Sequence, residues 1–171
     1  GKGPGFIAAL PVAQSVGIKQ SWSDTWDRYN IFTMKDSRVN HGNYGVAAGF
    51  CRYCNYSDTT SVKNAWLKIR TTQSAGSLVA SYNKVKMFYA STSKKTQSQF
   101  VENDIIKKTD TLSTKSNFNV MQFNLSQAPN SFEIKFQGKD SPDIFGLSLE
   151  GDGGVMVDNF GLRGSSGTFF N

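Results

Sequence analysis

The sequence has little of the material from which most active sites and metal centres are built. Its 171 residues include one histidine and two cysteines. A Ser-His-Asp triad needs a positioned histidine, and a structural zinc site needs about four ligands, so both kinds of site lack partners here. The histidine, His41, lies in Asn40-His41-Gly42-Asn43, a composition typical of a surface turn. The sequence therefore predicts a chain without a complete enzymatic active site of its own.

The two cysteines form one isolated Cys-x-x-Cys motif, Cys51 and Cys54. No second pair is present to complete a zinc site, and His41 would supply a third ligand at most. In a straight strand the two side chains would point to opposite faces, whereas a turn at Arg52-Tyr53 would allow a local disulfide. Two free thiols and a local disulfide both remain open, and a metal site or a redox dithiol is not favoured.

Long hydrophobic runs are also absent, so no membrane span and no charged-then-apolar leader is expected in these residues, although a signal peptide could precede them. The net charge is +6. Because the lysines are interleaved with apolar residues and form no block, they indicate solvated strand faces and not a nucleic-acid-binding surface.

No segment has a helical period bounded by capping residues, and the dominant period is two. Phe132, Ile134 and Phe136 alternate with polar residues, as do the apolar residues of two further segments around Val85 and Leu67. Further strands are predicted at 16–20, 28–34, 44–53, 100–106, 118–125, 144–149 and 155–162.

About ten short strands divided by turn residues predict an all-β fold, most simply a jelly-roll sandwich of two antiparallel sheets. The chain shows no linker, so residues 1–171 are expected to form one domain. Residues 91–99 are rich in Ser, Thr, Lys and Gln and predict a long exposed loop. The glycine-rich ends are expected to be flexible tails.

Acidic residues recur at short spacing, as in Asp24/Asp27 and Asp140/Asp143. These pairs lie in turn-like sequence, where aspartate caps its own backbone, so a structural role is favoured over catalysis. Glu150, Asp152 and Asp158 could bind calcium through oxygen ligands, but their spacing fits no regular calcium loop. No cofactor and no metal is expected.

Large aromatic rings in polar surroundings are the best candidates for ligand contacts. Trp22, Trp26 and Tyr29 cluster among Ser, Thr, Asp and Arg, and Trp66 falls on the polar phase of its strand. Sugar recognition uses an apolar ring with fixed polar groups around it, so these four residues are candidate platforms for a glycan. The alternative is that the rings complete the edge of the core.

Four short segments resemble the SGNH (GDSL-type) hydrolases that carry a jelly-roll domain inserted in the catalytic domain. Residues 143–150 and 153–164 are similar to the family's pattern GxSLE…GVxVDNxGxxG, in which a strand pair leaves the insert. Residues 1–7 resemble the glycine-rich stretch that leads into the insert, and residues 41–46 resemble a glycine-bearing strand near its middle.

The resemblance implies a galactose-binding-like domain from a secreted or periplasmic esterase that acts on cell-wall or plant polysaccharides. Gly164 matches the glycine whose backbone N–H helps to form the oxyanion hole of that family. The Gly-Asp-Ser, Asn and Asp-x-x-His blocks have no counterpart in these residues. Residues 1–6 and 163–171 would then be junctions to a hydrolase domain of the same polypeptide, and their two ends should lie close together.

Three functions follow from these observations. The domain could bind polysaccharide and position it beside an esterase site, with Trp22, Trp26, Tyr29 and Trp66 as contacts. It could instead be a structural insert that binds no ligand and only shapes the neighbouring substrate cleft. The third reading, a self-contained polysaccharide hydrolase that uses carboxylates, is opposed by the absent triad.

Overall fold

The computed structural model describes residues 2–32, 38–39, 41–56, 60–72, 76–156 and 158. Within these ranges the chain forms eleven β-strands and no helix, so the predicted all-β class is confirmed. The strands are β1 Gly5–Ile7, β2 Ile18–Trp22, β3 Asp27–Asn30, β4 Gly49–Arg52, β5 Lys63–Thr71, β6 Lys84–Tyr89, β7 Thr96–Glu102, β8 Ile105–Thr111, β9 Asn119–Asn124, β10 Ser131–Gly138 and β11 Ile144–Glu150. The described part has no helix long and apolar enough to cross a membrane.

The strands form two antiparallel sheets, named here after their central strands. The β10 sheet has the order β2-β5-β10-β7-β8, and the β11 sheet has the order β3-β4-β11-β6-β9 with β1 also paired to β11. All strand pairs are antiparallel. The predicted sandwich of two antiparallel sheets is confirmed, and the finer likeness to galactose-binding domains stays a prediction.

The core lies between the two sheets because the predicted alternation places every second side chain on the inner face. Phe132, Ile134 and Phe136 of β10 are all buried, as the alternation of that segment predicts. Phe100 of β7 stacks on Phe123 of β9 with ring centroids 4.6 Å apart, which joins the two sheets directly. Burial of such rings contributes roughly 1.5–3 kcal/mol each.

A second apolar cluster covers the outer face of the β11 sheet. Tyr29, Phe50 and Phe145 are buried in it, with Tyr44 and Tyr56 packed against them. Tyr29 and Phe50 stack with centroids 5.0 Å apart. The register of β11 shifts beside Phe145, so this ring joins the outer cluster while the neighbouring Ile144 joins the core.

Segments near the two ends of the described chain lie side by side. β1 pairs with β11, and the Phe6 N–H donates a hydrogen bond to Asp158 Oδ1 at 3.0 Å. The Gly151 N–H donates to the Lys2 carbonyl at 2.7 Å. Gly5 has a φ of 78°, and any Cβ there would collide with the Asp158 carboxylate. Glycine therefore suits this position, where β1 and Asp158 approach each other closely.

Two predictions about β7 and β8 are wrong. The strand predicted at 100–106 is a hairpin, because Asn103 and Asp104 adopt positive φ values of 50° and 63° and turn the chain between β7 and β8. Asn and Asp tolerate this conformation better than other side chains. The loop predicted at 91–99 ends early, since Thr96 and Ser98 lie fully buried in β7.

Other predicted strands are confirmed in part. Within 44–53 the strand begins only at Gly49, after a turn at residues 45–48, and within 28–34 it ends at Asn30. Val155 and Met156 belong to no strand, and most of the remaining segment to Leu162 lies outside the described residues.

Both cysteines are free and buried, which decides between the two alternatives that the sequence leaves open. Cys51 is in β4, and its thiol lies 3.6 Å from the Ile144 carbonyl oxygen. Burial, the largest influence, raises the pKa of the Cys51 thiol far above its ordinary value. A thiol in this state is a packing group and not a nucleophile.

The protein should lose stability at alkaline pH. The pKa of the Cys51 thiol is raised by burial, and burial likewise raises the pKa of Tyr82 to about 12. The unfolded chain therefore releases these protons first. Stability is full below about pH 8.5 and then falls as the pH rises because of Cys51, and Tyr82 adds to the decline only above about pH 10, by up to about 1.4 kcal/mol per pH unit for each group. Urea unfolding at pH 7.5 to 10 measures this slope. Cys51→Ala should lower the midpoint at pH 7.5 but flatten its decline, and an unchanged slope would contradict the assignment.

Candidate glycan-binding face and the Arg52 cluster

Trp66 lies on the outer face of the β10 sheet, in β5, which is paired with the central strand β10. Its neighbours in β5, Ala65 and Leu67, are buried in the core, so the Trp66 ring is directed outward. The backbone of Trp66 is bonded twice to Ser23, whose N–H donates to the Trp66 carbonyl at 3.2 Å and whose hydroxyl accepts from the Trp66 N–H at 3.2 Å. These bonds fix the backbone that carries the ring.

A depression of about 410 Å³ lies beside the Trp66 ring. Besides the ring, its outward side chains are Asn64, Gln97, Gln99, Lys135 and Gln137. Lys135 is the direct cross-strand partner of Trp66, and Gln137 Nε2 donates to Asn64 Oδ1 at 3.1 Å. Amide groups donate and accept hydrogen bonds at once, which suits the hydroxyls of a sugar, while the ring offers an apolar surface.

The other three predicted platforms do not join Trp66 on this face. Trp22 pairs opposite Leu67 and therefore lies on the inner side, half-buried against the core with the Arg28 guanidinium 5.5 Å from its ring centroid. Tyr29 is 7% exposed and stacks on Phe50 in the second apolar cluster.

Trp26 supports Trp66 from behind. Its ring meets Tyr53 and Phe136 edge-on, with centroids 5.5 Å and 5.7 Å away. Its Nε1–H donates to Ser23 Oγ at 3.1 Å and to the Trp66 carbonyl at 3.3 Å. Trp26 thus helps to hold Trp66 in place and presents no free platform. The predicted oxyanion-hole residue, Gly164, lies outside the described residues.

A second arrangement, which sequence reasoning missed, is a buried ionic cluster around Arg52. The Arg52 guanidinium is 4% exposed and contacts Asp143 Oδ1 at 2.5 Å and Asp140 Oδ1 at 2.6 Å. It also lies 3.8 Å from the ring centroid of Tyr56, whose hydroxyl donates to Asp143 Oδ1 at 2.9 Å. A planar guanidinium can bind two carboxylates at once, and this geometry is among the strongest of charge-assisted contacts.

The expectation that Asp140 and Asp143 are only turn residues is therefore incomplete. Asp140 does cap its own turn, since its Oδ1 accepts from the Ser141 N–H at 2.9 Å. Its Oδ2 also accepts from the Ser93 N–H at 2.7 Å, and its main role is the buried ion pair with Arg52. A signal was present in the sequence: two aspartates in a turn and an arginine in an apolar strand are the components of such a pair.

His41 belongs to the same cluster. Its Nε2 lies 2.8 Å from Asp143 Oδ2, and its Nδ1 accepts from the Asn43 N–H at 3.2 Å. In the neutral ring, Nδ1 is then the acceptor and the proton resides on Nε2, where it is donated to Asp143. The surface position predicted from the turn composition is correct only in part, because the side chain is 25% exposed and bonded to a buried carboxylate.

This cluster lines a cleft of about 440 Å³ together with Ser91, Ser93 and Asn117. A nucleophile would need a base with a free lone pair, but both ring nitrogens of His41 are occupied. Within the described residues, no serine hydroxyl is hydrogen-bonded to His41. The contacts of this cluster are structural ones, and they hold the segment that begins at His41 to the turn between β10 and β11.

The three acidic residues considered for calcium have separate partners. Glu150 pairs with Lys86 at 2.6 Å, Asp152 pairs with Lys84 at 2.7 Å, and Asp158 accepts the Phe6 N–H. The described part of the chain has no group of three or more His, Cys, Asp or Glu side chains that could hold a metal ion.

Comparison of the chain with protein-family models and with curated proteins finds no match.

Arg52 should be the most sensitive charged residue for stability. Arg52→Ala leaves Asp140 and Asp143 buried without their cation, and breaking such a pair costs about 3–5 kcal/mol. Arg52→Lys should be intermediate, because an ammonium cannot form the same two-carboxylate fork. Urea unfolding monitored by circular dichroism measures both changes.

Lys84→Ala is the control for this prediction, because it removes a cation from the exposed pair with Asp152 and should leave the midpoint nearly unchanged. An Arg52→Ala protein as stable as the parent would show that the cluster does not hold the turn between β10 and β11.

Proposed function

We propose that this chain is a non-catalytic, glycan-binding β-sandwich domain that positions polysaccharide on the Trp66 face for an esterase. The supporting observation is the isolated outward ring of Trp66 in a depression lined by amide side chains. A preformed site with one apolar platform and several fixed polar groups matches the requirements of sugar binding. The ring is carried by a strand and not by a loop, so the backbone beneath it needs no ordering when a ligand binds.

The esterase in this proposal is an SGNH-type hydrolase domain of the same polypeptide, and the location is periplasmic or extracellular. This part rests on the resemblance of residues 143–164 and 1–7 to that family. The close approach of Phe6 and Asp158 is compatible with it, because both ends of an inserted domain must meet the same host. Gly164 would then contribute to the oxyanion hole of the neighbouring domain.

A purely structural insert is the second candidate, and one observation favours it. An apolar groove of about 320 Å³ lies next to the paired ends, lined by Phe6, Phe88, Phe118, Phe145 and Met156. In this case the sandwich would only shape the substrate cleft of its host and would bind no glycan.

Replacement of the Trp66 ring tests the proposal. Trp66→Ala should weaken polysaccharide binding roughly tenfold or more, since a stacked ring contributes about 1 kcal/mol beyond its buried area. Affinity gel electrophoresis against a panel of O-acetylated and deacetylated polysaccharides identifies a ligand, and calorimetry then gives the affinity.

The matched control is Phe118→Ala, which removes a ring that is 58% exposed near the other sheet and should leave binding unchanged. Circular dichroism and the unfolding midpoint check that both variants are folded. Binding that survives Trp66→Ala would show that the glycan binds elsewhere and would contradict the Trp66 site, whereas no binding to any polysaccharide would favour the structural insert.

A further inference from the structure

The outer face of the β10 sheet, here called the Trp66 face, carries an unbalanced positive charge. The strand register places Lys19 opposite Arg70, Lys68 opposite Glu133, and Lys135 opposite Trp66. These strand positions therefore present four cationic side chains and one carboxylate, a net charge of +3. The remaining outward strand residues around the ring are amides and hydroxyls.

The four cationic side chains on this face have fewer carboxylate partners than they need for neutral pairs. Glu133 is contacted by both Lys68, at 3.0 Å, and Lys135, at 3.6 Å. Lys19 and Arg70 have no carboxylate within 4.0 Å among the described residues, although they face each other across β2 and β5. Like charges directly opposite in a sheet are destabilising, so this arrangement costs the fold stability.

The outer face of the β11 sheet provides a comparison within the same molecule. There Lys84 pairs with Asp152 at 2.7 Å and Lys86 pairs with Glu150 at 2.6 Å. Each lysine of β6 on that face thus has its own carboxylate. The excess of positive charge is a property of the face that carries Trp66, and not of every solvent-facing strand.

We infer that the polysaccharide bound on the Trp66 face is anionic, with carboxylates of the uronic-acid type contacted by Lys135 and Arg70 while a sugar ring stacks on Trp66. This inference rests on the proposed glycan-binding function. Lys135 lies one strand away from Trp66, at about 5 Å, and Arg70 lies four residues along β5, at roughly 13 Å. Because Lys135 and Arg70 lie at two different distances from the Trp66 ring, they suit a polymer that carries a carboxylate on successive sugar units.

The competing ligand for such a face is single-stranded nucleic acid, which also stacks on aromatic rings and carries negative charge. The polysaccharide is preferred because the depression beside Trp66 is lined by amides, and amide groups match the dense hydroxyls of a sugar chain.

The experiment compares four ligands with the parent protein: polygalacturonate, a neutral xylan, a neutral mannan and single-stranded DNA. Binding to polygalacturonate should exceed binding to both neutral polymers and to DNA, and it should weaken as NaCl rises from 50 to 300 mM. Lys135→Gln and Arg70→Gln should each reduce the affinity for polygalacturonate roughly fivefold. Trp66→Ala should remove the part of the polygalacturonate affinity that exceeds simple ion exchange with a positively charged surface.

Lys115→Gln is the matched control, because it removes the same charge from an exposed loop between β8 and β9 and should have no effect. Equal binding to neutral and acidic polymers, still dependent on Trp66, would overturn the anionic ligand but support glycan binding. Tighter binding to DNA would overturn both ideas in favour of nucleic acid. If Lys115→Gln weakens binding to polygalacturonate as much as Lys135→Gln does, the binding depends only on the net charge of the protein, and the inference is overturned.

Discussion

The ion pairs between Arg52 and the two aspartates are the constraint on which the rest of the sandwich depends. Asp140 and Asp143 lie in the short connection that leaves the β10 sheet and enters the β11 sheet, and Arg52 lies at the end of β4. The Asp140 carbonyl also accepts hydrogen bonds from Tyr53 and Thr96. Because one connection is tied to β4 and β7 at the same point, the distance and angle between the two sheets are fixed at this end.

Much of the fold could be predicted because burial imposes a period of two. The strands around Leu67, Val85 and Ile134 each have one buried and one wet face, so their pattern was unambiguous. The prediction failed where this rule does not apply. β8 is exposed on both faces and carries no alternation, and the turn at Asn103-Asp104 depends on backbone conformations that hydrophobicity does not report.

The candidate site was predictable only one residue at a time. Trp66 stands in a strand with a clear period, so its outward direction follows from the sequence. Trp26 and Tyr29 lie among polar residues and resemble surface rings, yet each is covered by residues distant in the chain, Phe136 and Phe50 respectively. The charge on the Trp66 face likewise depends on which strands are neighbours, and a single sequence does not contain the strand order.

The central position of β11 has a consequence for the order in which the chain can fold. β11 is the last of the eleven strands in the described part of the chain, yet it pairs with β1, β4 and β6. During synthesis β1, β4 and β6 lack their shared central partner, β11, until residues 144–150 have left the ribosome. Such non-local pairing slows folding, since the loops must close before any contact compensates for the lost entropy. Among the described residues, all five strands of the other sheet end by residue 138, so that sheet can assemble first and offer β11 a surface on which to dock.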